Sequence, residues 1–293
     1  MFFANDAFFT NNSVSLLSLP YFPSKLNEGK LHTERVMNDN EFNEWFVGFT
    51  DAEGCFRITI NNKVIRFNFI ICLHVDDKEV LEFIKSRLNC GTIGKSSKTL
   101  VYFNISKPED LLNILIPLFD NFPLNGVKYL DYLMFKEAIL NKLDNSIPLD
   151  KKLELITNLK NLMNTKRESF SMPSSHCIRI TPWWLLGLIE GEGSFFITKR
   201  RGLSTIGVSF GLALTMAQKP LISAIKSFID SYQIEDNFLK NSKDYLEIIS
   251  KRSVVLVGKP SSNNAKSSVM IQINQVNFLA LRSAERAGLL RCW

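Results

Sequence analysis

Two short stretches of the sequence place an acidic residue directly before a glycine, and each continues into an alternating polar and apolar segment. The first, FVGFTDAEGCFRITI (residues 46–60), holds Glu53, and the second, LLGLIEGEGSFFITK (residues 185–199), holds Glu192 at the equivalent place, 139 positions later. A carboxylate beside a basic polar strand suits a divalent cation and a polyanion. The recurrence predicts two related halves in one chain.

The acids fall where each predicted helix ends. A helix C-terminus favours cations, so acids at this place oppose the helix dipole. If the two helices pack side by side, Glu53 and Glu192 come close together, and each carboxylate raises the pKa of the other. A divalent cation removes that penalty. Ligation by carboxylates suits Mg²⁺, with Mn²⁺ or Ca²⁺ as substitutes, and such a site is suited to metal-assisted phosphodiester hydrolysis.

Small residues recur within the two predicted helices. Gly48 and Ala52 are four positions apart in the first, and Gly187 and Gly191 are four apart in the second. Residues at this spacing share one helix face, and small side chains there let two helix backbones approach each other. A single such pair arises readily by chance, but the same offset in both copies favours a helix–helix interface.

The segments after the acids predict β-strands with one apolar and one polar face. Arg, Lys, Asn, Ser and Thr on a two-stranded ribbon are the residue types that contact base edges in a major groove. For any single residue a solvated sheet face is the simpler interpretation, and the collective placement beside the acids favours nucleic acid. The residues predicted to face it are Cys55, Arg57, Thr59, Asn61, Lys63, Arg66, Asn68 and His74 in the first copy, and Ser194, Thr198, Arg200, Ser209 and Thr215 in the second.

Hydrophobic periodicity predicts an α+β protein in which an αββαββα unit occurs twice. The first helix is expected over Glu41–Asp51 with Asn40 as its N-cap. The segments predicted along the chain are an N-terminal extension (1–40), a first repeat (41–145), a connecting helix and linker (146–181), a second repeat (182–277) and a tail (278–293).

Composition narrows the class of protein. The 293 residues are 45% hydrophobic with a net charge of +6, which suits a globular chain that leans toward polyanionic partners. Five cysteines without a CxxC pair indicate neither a disulfide framework nor a zinc site. No apolar run is long enough to predict a membrane span, and the N-terminus is a poor secretory signal. Heavy use of Asn, Lys, Ile and Phe suggests an AT-rich genome, such as that of an organelle.

Both stretches resemble the motif of the LAGLIDADG homing endonucleases, in the single-chain form with two motifs that is typical of fungal mitochondrial introns. The first motif is FVGFTDAEG and the second is LLGLIEGEG. The resemblance implies two pseudo-symmetric α/β halves that meet at their motif helices, in a monomer whose sheets form a saddle on double-stranded DNA. It also implies cleavage of both strands at a long asymmetric site, and a mitochondrial location, with the chloroplast as the alternative.

The resemblance also assigns residues. It implies that Glu53 and Glu192 hold the metal and that the backbone carbonyls of Ala52 and Gly191 add ligands. Two further assignments are catalytic. Gln218 occupies the place of an active-site glutamine that orders water, with Asp77 as its counterpart in the first copy. Lys128 occupies the place of a lysine near the scissile phosphates, which could stabilise charge in the transition state. As ordinary surface residues, Gln218 and Lys128 would need no such role.

The tail departs from the family pattern. Between Leu279 and Trp293 it holds three Arg and no Lys, and the closing helices of the first repeat have no counterpart there. Three functions therefore stay open: a site-specific DNA endonuclease, a maturase that binds its host intron RNA, and a DNA-binding regulator or cleavage-inactive relic. The two intact acids, Glu53 and Glu192, favour the nuclease, because binding alone does not require them, whereas the tail favours a binding role.

Overall fold

The computed structural model describes residues 37–199, 206–231, 254–259 and 268–274, which form two repeats that share the order αββαββ. This confirms the predicted α+β class and the duplication, and within the described residues the closing helix of the predicted αββαββα unit belongs to the first repeat. The tail (278–293) and the first 36 residues of the predicted extension lie outside the described residues. The first repeat comprises α1 (Asp39–Glu53), β1 (Gly54–Asn61), β2 (Val64–His74), α2 (Lys78–Leu88), β3 (Thr92–Lys95), β4 (Leu100–Ile105), α3 (Pro108–Asp110), α4 (Ile116–Asn121) and α5 (Lys128–Leu143).

A connecting helix, α6 (Leu149–Asn161), leads to the second repeat. Its described elements are α7 (Pro182–Glu192), β5 (Gly193–Lys199), β6 (Ile206–Thr215), α8 (Lys219–Ser231), β7 (Val254–Lys259) and β8 (Ser268–Asn274). None of the helices in the described ranges has the length and apolar content needed to cross a bilayer.

Each repeat contains one four-stranded antiparallel sheet with the same strand order. The orders are β1-β2-β4-β3 and β5-β6-β8-β7. The first hairpin closes on Asn62 and Lys63, whose φ angles of 47° and 63° are those of a turn that matches the strand twist. Burial alternates along β1 and β2, so one face of the sheet is apolar and covered while the other is polar.

The covered face of the first sheet packs against helices through an aromatic core. Phe46 of α1, Phe56 and Phe69 of the sheet, Phe119 of α4 and Phe135 of α5 are all fully buried. Their ring centroids lie 5.3–6.0 Å apart in tilted, stacked and edge-on pairs. Such pairs stabilise a core beyond the burial of their area, so this cluster fixes α1 and α5 on the sheet.

The first motif helix begins and ends two residues outside the predicted bounds. Its N-cap is Asn38 and not Asn40, because Asn38 accepts from the backbone of Glu41 while the Glu41 side chain accepts from the backbone of Asn38. At the other end the helix continues to Glu53, and β1 starts at the next residue. The strand thus leaves the helix directly at the acid, without a linker.

The motif helices α1 and α7 cross with their backbones in contact at two equivalent places. A Cβ atom added to Gly48 would lie 1.9 Å from the carbonyl oxygen of Trp184, and one added to Gly187 would lie 2.1 Å from the carbonyl oxygen of Trp45. A Cβ added to Gly191 would lie 2.3 Å from that of Ala52. No side chain larger than hydrogen therefore fits at Gly48 or Gly187 without separating the helices.

The segment between the repeats is held against the first repeat. Asp131 of α5 accepts from Arg167 at 2.7 Å and from the backbone of Asn164 at 2.9 Å. The side chain of Asn164 donates to the carbonyl of Phe56 on the edge of β1, at 2.9 Å. Further along, Asn125 and Arg179 exchange two hydrogen bonds, which fixes the approach to α7.

Replacing Gly48 or Gly187 by alanine tests this packing through the sign of the change in the free energy of unfolding. Helix propensity alone predicts that Gly→Ala in a helix interior stabilises the protein by about 1 kcal/mol. The close approach predicts the opposite, a loss of about 1–3 kcal/mol through overpacking. Denaturant unfolding of Gly48→Ala and Gly187→Ala measures the change. A gain in stability in either variant would contradict the backbone contact.

Candidate functional site

The convergence of α1 and α7 brings the last acids of the two motifs to one place. A Cβ on Gly191 would lie 3.5 Å from Oε1 of Glu53, so the Glu53 carboxylate lies beside the end of the opposite helix. Burial raises the pKa of Glu53, and the charges of Glu192 and Asp77 raise it further, against the opposing effect of Lys128. Burial likewise raises the pKa of Glu192. The protein thus holds two carboxylates where their negative charge is unfavourable.

Lys128 supplies a positive charge that acts on both acids. It is the first residue of α5, and its Nζ donates to the carbonyl of Thr50 at 3.2 Å and to the carbonyl of Ala52. The ammonium group therefore satisfies carbonyls at the C-terminus of α1, where the helix dipole favours a cation. Burial lowers the pKa of Lys128, and the surrounding carboxylates of Asp51, Glu53 and Glu192 oppose that effect.

The other acid of the first motif, Asp51, points into the helix interface. It is 7% exposed and accepts from the indole Nε1 of Trp184 at 2.9 Å. It also accepts from the backbone N–H groups of Asn125 and Gly126, at 2.9 and 3.0 Å. Burial raises the pKa of Asp51, while these three donors and Lys128 lower it. Asp51 is thus a buried acceptor in the interface.

The second motif repeats this contact in the opposite direction. The indole Nε1 of Trp45 in α1 donates to Oε2 of Glu190 in α7 at 2.7 Å. Glu190 is exposed as a residue, but burial of its carboxyl group raises the pKa to about 7, against the lowering effect of the hydrogen bond from Trp45. Each motif helix therefore gives an indole to the other and receives one from it. No local pattern in the sequence links the two pairs, whose members are 145 and 133 positions apart.

Gln218 belongs to the second repeat but contacts the first. It closes the short turn between β6 and α8, and its Oε1 accepts from the backbone of Val127 at 3.2 Å. Its counterpart in the first repeat, Asp77, lies between β2 and α2, close enough to Glu53 to raise that residue's pKa. The two halves of the site therefore differ, since one offers a carboxylate where the other offers an amide.

The donor set is compatible with a hard divalent cation. Within the described part of the chain, no group of three or more His, Cys, Asp and Glu side chains is arranged to hold a metal ion. An ion here would depend on the carboxylates of Glu53 and Glu192, the carbonyls of Ala52 and Gly191, water and an outside ligand. Few carboxylates completed by water and phosphate are what Mg²⁺ prefers. The carbonyl of Ala52 accepts from Lys128 in the structure.

The polar face of the first sheet carries the residues predicted for nucleic-acid contact. Arg57 and Arg66 are exposed, and Arg57 pairs across the hairpin with Asn68, as Arg66 does with Thr59. Four others have partners in the protein. Lys63 pairs with Asp150 at 3.3 Å, and His74 pairs with Asp76 at 3.0 Å. Asn68 donates to Asn104 at 3.1 Å, and the Cys55 sulfur lies 3.9 Å from the amide oxygen of Asn164. Asn61, at the end of β1, is exposed.

In the second repeat the predicted contact residues are described less fully. Ser194 and Thr215 are exposed at the ends of β5 and β6 nearest to the motif helix and to α8. Thr198 pairs with Gly207, and Ser209 pairs with both Phe196 and Asn274. Arg200 lies outside the described residues.

Strand β4 adds polar residues to this face that the sequence analysis left out. Tyr102 and Asn104 alternate with the buried Val101, Phe103 and Ile105, and the exposed Thr92 of β3 pairs with Asn104. The Tyr102 ring lies across Gly94, where an added Cβ would be 2.4 Å from the phenolic oxygen. The same alternation that identified β1 would have found these residues.

Comparison with known proteins matches this architecture. Residues 46–139 match the family model described as LAGLIDADG endonuclease. The structure resembles that of the LAGLIDADG meganuclease I-CpaMI bound to uncleaved DNA, with a TM-score of 0.60 and 25% identity over 82% of this chain and 81% of that one. It also resembles I-SmaMI bound to an uncleaved DNA target with calcium ions, with a TM-score of 0.63 and 20% identity over 83% of this chain and 84% of that one.

Curated relatives come from fungi. The probable intron-encoded endonuclease Cox1-I1b of Schizosaccharomyces pombe is 33% identical over 70% of this chain and 53% of its own length. The uncharacterized mitochondrial protein RF1 of Saccharomyces cerevisiae is 28% identical over 86% of this chain and 51% of its own. The chain thus spans about half the length of these relatives. The chain shares its fold with these meganucleases, and residues 46–139 belong to the LAGLIDADG endonuclease family.

The reciprocal indole contacts give a comparative test. Trp184→Phe removes a donor from the buried carboxylate of Asp51, and we expect a loss of about 1–3 kcal/mol in the free energy of unfolding. Trp45→Phe removes the same donor from Glu190, which reaches solvent, so its loss should be smaller. The two indoles are equally buried, at 2% and 3% exposure, so lost packing area is matched. Urea unfolding of both variants measures the difference. Equal losses would contradict the distinction between the two acids.

Proposed function

We propose that this chain is a site-specific endonuclease that cuts double-stranded DNA during intron homing, as a pseudo-symmetric monomer in a fungal mitochondrion. The observation that carries the proposal is the meeting of Glu53, Glu192 and Lys128 at the point where both motif helices turn directly into the sheets. A relative described as a probable intron-encoded endonuclease, and similar structures that were solved bound to DNA, support it.

In this proposal Glu53 and Glu192 hold Mg²⁺, with Mn²⁺ or Ca²⁺ as substitutes, and the carbonyls of Ala52 and Gly191 complete the protein's share of ligands. When bound, the metal supplies Lewis-acid activation of the phosphodiester and of water. Lys128 stabilises the negative charge that develops on the phosphate, because its ammonium group lies at the C-terminal carbonyls of α1 and interacts with the charges of both acids. Gln218 uses its Oε1 within the protein, which leaves its amide nitrogen to orient water.

The polar sheet faces would deliver the DNA to this site. Exposed Arg57 and Arg66 are suited to guanine edges in the major groove, and Tyr102 and Asn104 widen the same surface. Strand β1 begins immediately after Glu53, so the contact surface and the acids are covalently continuous. A base contacted early in β1 therefore lies near the acids, and one contacted at the hairpin tip lies far from them.

The first test is cleavage of a supercoiled plasmid that carries the uninterrupted exon junction of the host gene, with Mg²⁺ and with EDTA. Linearisation at the junction that requires the metal is the expected result. The control is the same plasmid with the intron inserted at the junction, which should stay supercoiled. Binding of the intron RNA without any cleavage would contradict the nuclease and indicate a maturase.

Replacing either acid by its amide should separate cleavage from binding. In Glu53→Gln and in Glu192→Gln we expect cleavage to be lost, because an amide cannot supply the charge that holds the cation. DNA affinity in the absence of metal should stay near that of the unaltered chain, because removal of a desolvated charge leaves the sheets intact. Plasmid cleavage and filter binding measure the two effects. Unfolding of both variants would instead show that the acids are structural.

The polar face of the first sheet predicts which basic side chains contribute to DNA binding. Arg57→Ala or Arg66→Ala should weaken binding to the target by about 1–3 kcal/mol. Lys85→Ala is the control, because Lys85 is also exposed but lies on α2, which packs on the other face of the sheet through Leu81 and Ile84. Titrations at several salt concentrations measure both. An equal effect of Lys85→Ala would show that net charge, and not this face, governs binding.

A further inference from the structure

Three successive backbone N–H groups in the loop before α5 all donate to side-chain oxygens. Those of Asn125 and Gly126 donate to the two oxygens of Asp51, and that of Val127 donates to Oε1 of Gln218. The next residue along the chain is Lys128. Because the loop is held at each of the three positions before Lys128, these acceptors fix the backbone position from which the Lys128 side chain extends.

The acceptors belong to both repeats. Asp51 is on α1, but its Oδ2 also accepts from Trp184 of α7, so the second motif helix orients the carboxylate. Gln218 comes from the turn that follows β6 in the second repeat. The loop of the first repeat therefore has its full set of acceptors, and Asp51 its orienting indole, only when the two repeats are docked.

The loop fits closely around these acceptors. A Cβ added to Gly126 would lie 2.6 Å from Oε1 of Gln218 and 2.9 Å from Oδ1 of Asp51. Glycine at this position lets both oxygens reach the backbone. Asn125, which is 3% exposed, also holds the linker through its side chain, so the loop has little room to shift.

We propose that Asp51 is a positioning residue for Lys128. It holds the 125–127 loop, with Gln218 as the second acceptor, so that the ammonium group of Lys128 rests at the end of α1 beside Glu53 and Glu192. The catalytic consequence rests on the proposed nuclease function, whereas the tie between Asp51, the loop and Lys128 does not. Docking of the repeats would then complete the site in two ways, by pairing the acids and by placing the lysine.

Glu190 provides the matched control. It is the pseudo-symmetric counterpart of Asp51 and accepts from Trp45 across the same interface. Among the described residues, its recorded donor is that indole, and the loop before Lys128 donates to Asp51 and Gln218 instead. If Asp51 served only to satisfy a buried indole, the amide variants of Asp51 and Glu190 would behave alike.

The first experiment measures amide hydrogen exchange in the full chain without metal or DNA. Asp51→Asn should speed exchange at Asn125 and Gly126 by about tenfold or more, since an amide loses one acceptor oxygen. Gln218→Met should speed exchange at Val127, and Glu190→Gln should change none of the three. Should Asp51→Asn fail to fold, Gly126→Ala disturbs the same contacts. Unchanged exchange in the folded Asp51 or Gly126 variant would overturn the proposal.

The second experiment asks whether the effect of Asp51 acts through Lys128. Asp51→Asn should lower the single-turnover cleavage rate at saturating DNA by about 100-fold, as expected for a displaced catalytic group, with little change in the DNA concentration at half-saturation. In a Lys128→Met background the same change should cost no further rate. Fully additive losses would show that Asp51 acts independently of the lysine, and would overturn the proposal. Absence of cleavage by the unaltered chain would refute the nuclease function, while the exchange result would still decide the positioning role.

Discussion

The backbone contact between α1 and α7 is the constraint on which the rest of the site depends. Because Gly48 and Gly187 have no side chain, each faces a carbonyl of the opposite helix directly, and the two helix ends converge. Convergence places Glu53 and Glu192 together where burial raises the pKa of both carboxyl groups, and the charge of Glu192 raises the pKa of Glu53 further. A cation near the acids would therefore stabilise their charged forms. Lys128 supplies one from within the chain.

The helix geometry explains why each motif carries two acids separated by one residue. Positions i and i+2 on an α-helix are about 200° apart around its axis, so the two side chains point in nearly opposite directions. Asp51 and Glu190 accordingly face the partner helix and accept its indole, while Glu53 and Glu192 face the site. The first acid of each motif thus accepts a hydrogen bond across the helix interface, and that interface brings the second acids, Glu53 and Glu192, together.

The sequence alone predicts the features that depend on local pattern. The duplicated unit, the alternating strands after Glu53 and the end of each motif helix at an acid follow from periodicity and from the repeat. The start of α1 was wrong by two residues, because the capping box of Asn38 and Glu41 competes with Asn40 as an N-cap. Between α3 and α4, Leu111–Leu115 form a π-helical turn. This turn lies just before Pro117, which has no N–H to continue regular α-helical hydrogen bonding.

What the sequence could not supply are contacts between distant segments. The partners Asp51 and Trp184 are 133 positions apart, and Val127 and Gln218 are 91 apart, so no local pattern links them. These contacts exist only because the helices cross at the glycines. The sequence indicated roles for Glu53, Glu192 and Lys128. It did not indicate that the loop before Lys128 donates to Asp51, the first acid of the first motif.

The position of Lys128 bears on how the site is assembled. Its ammonium group donates to the carbonyl of Ala52, which the proposed nuclease mechanism assigns to the metal. A carbonyl oxygen has two lone pairs, so it can accept from the lysine and still face a cation. Before any metal binds, Lys128 already lowers the pKa of both Glu53 and Glu192, against the burial that raises them. The acids are therefore brought together by folding itself, through the glycine crossing and the lysine, and a metal ion would enter a site that is already formed.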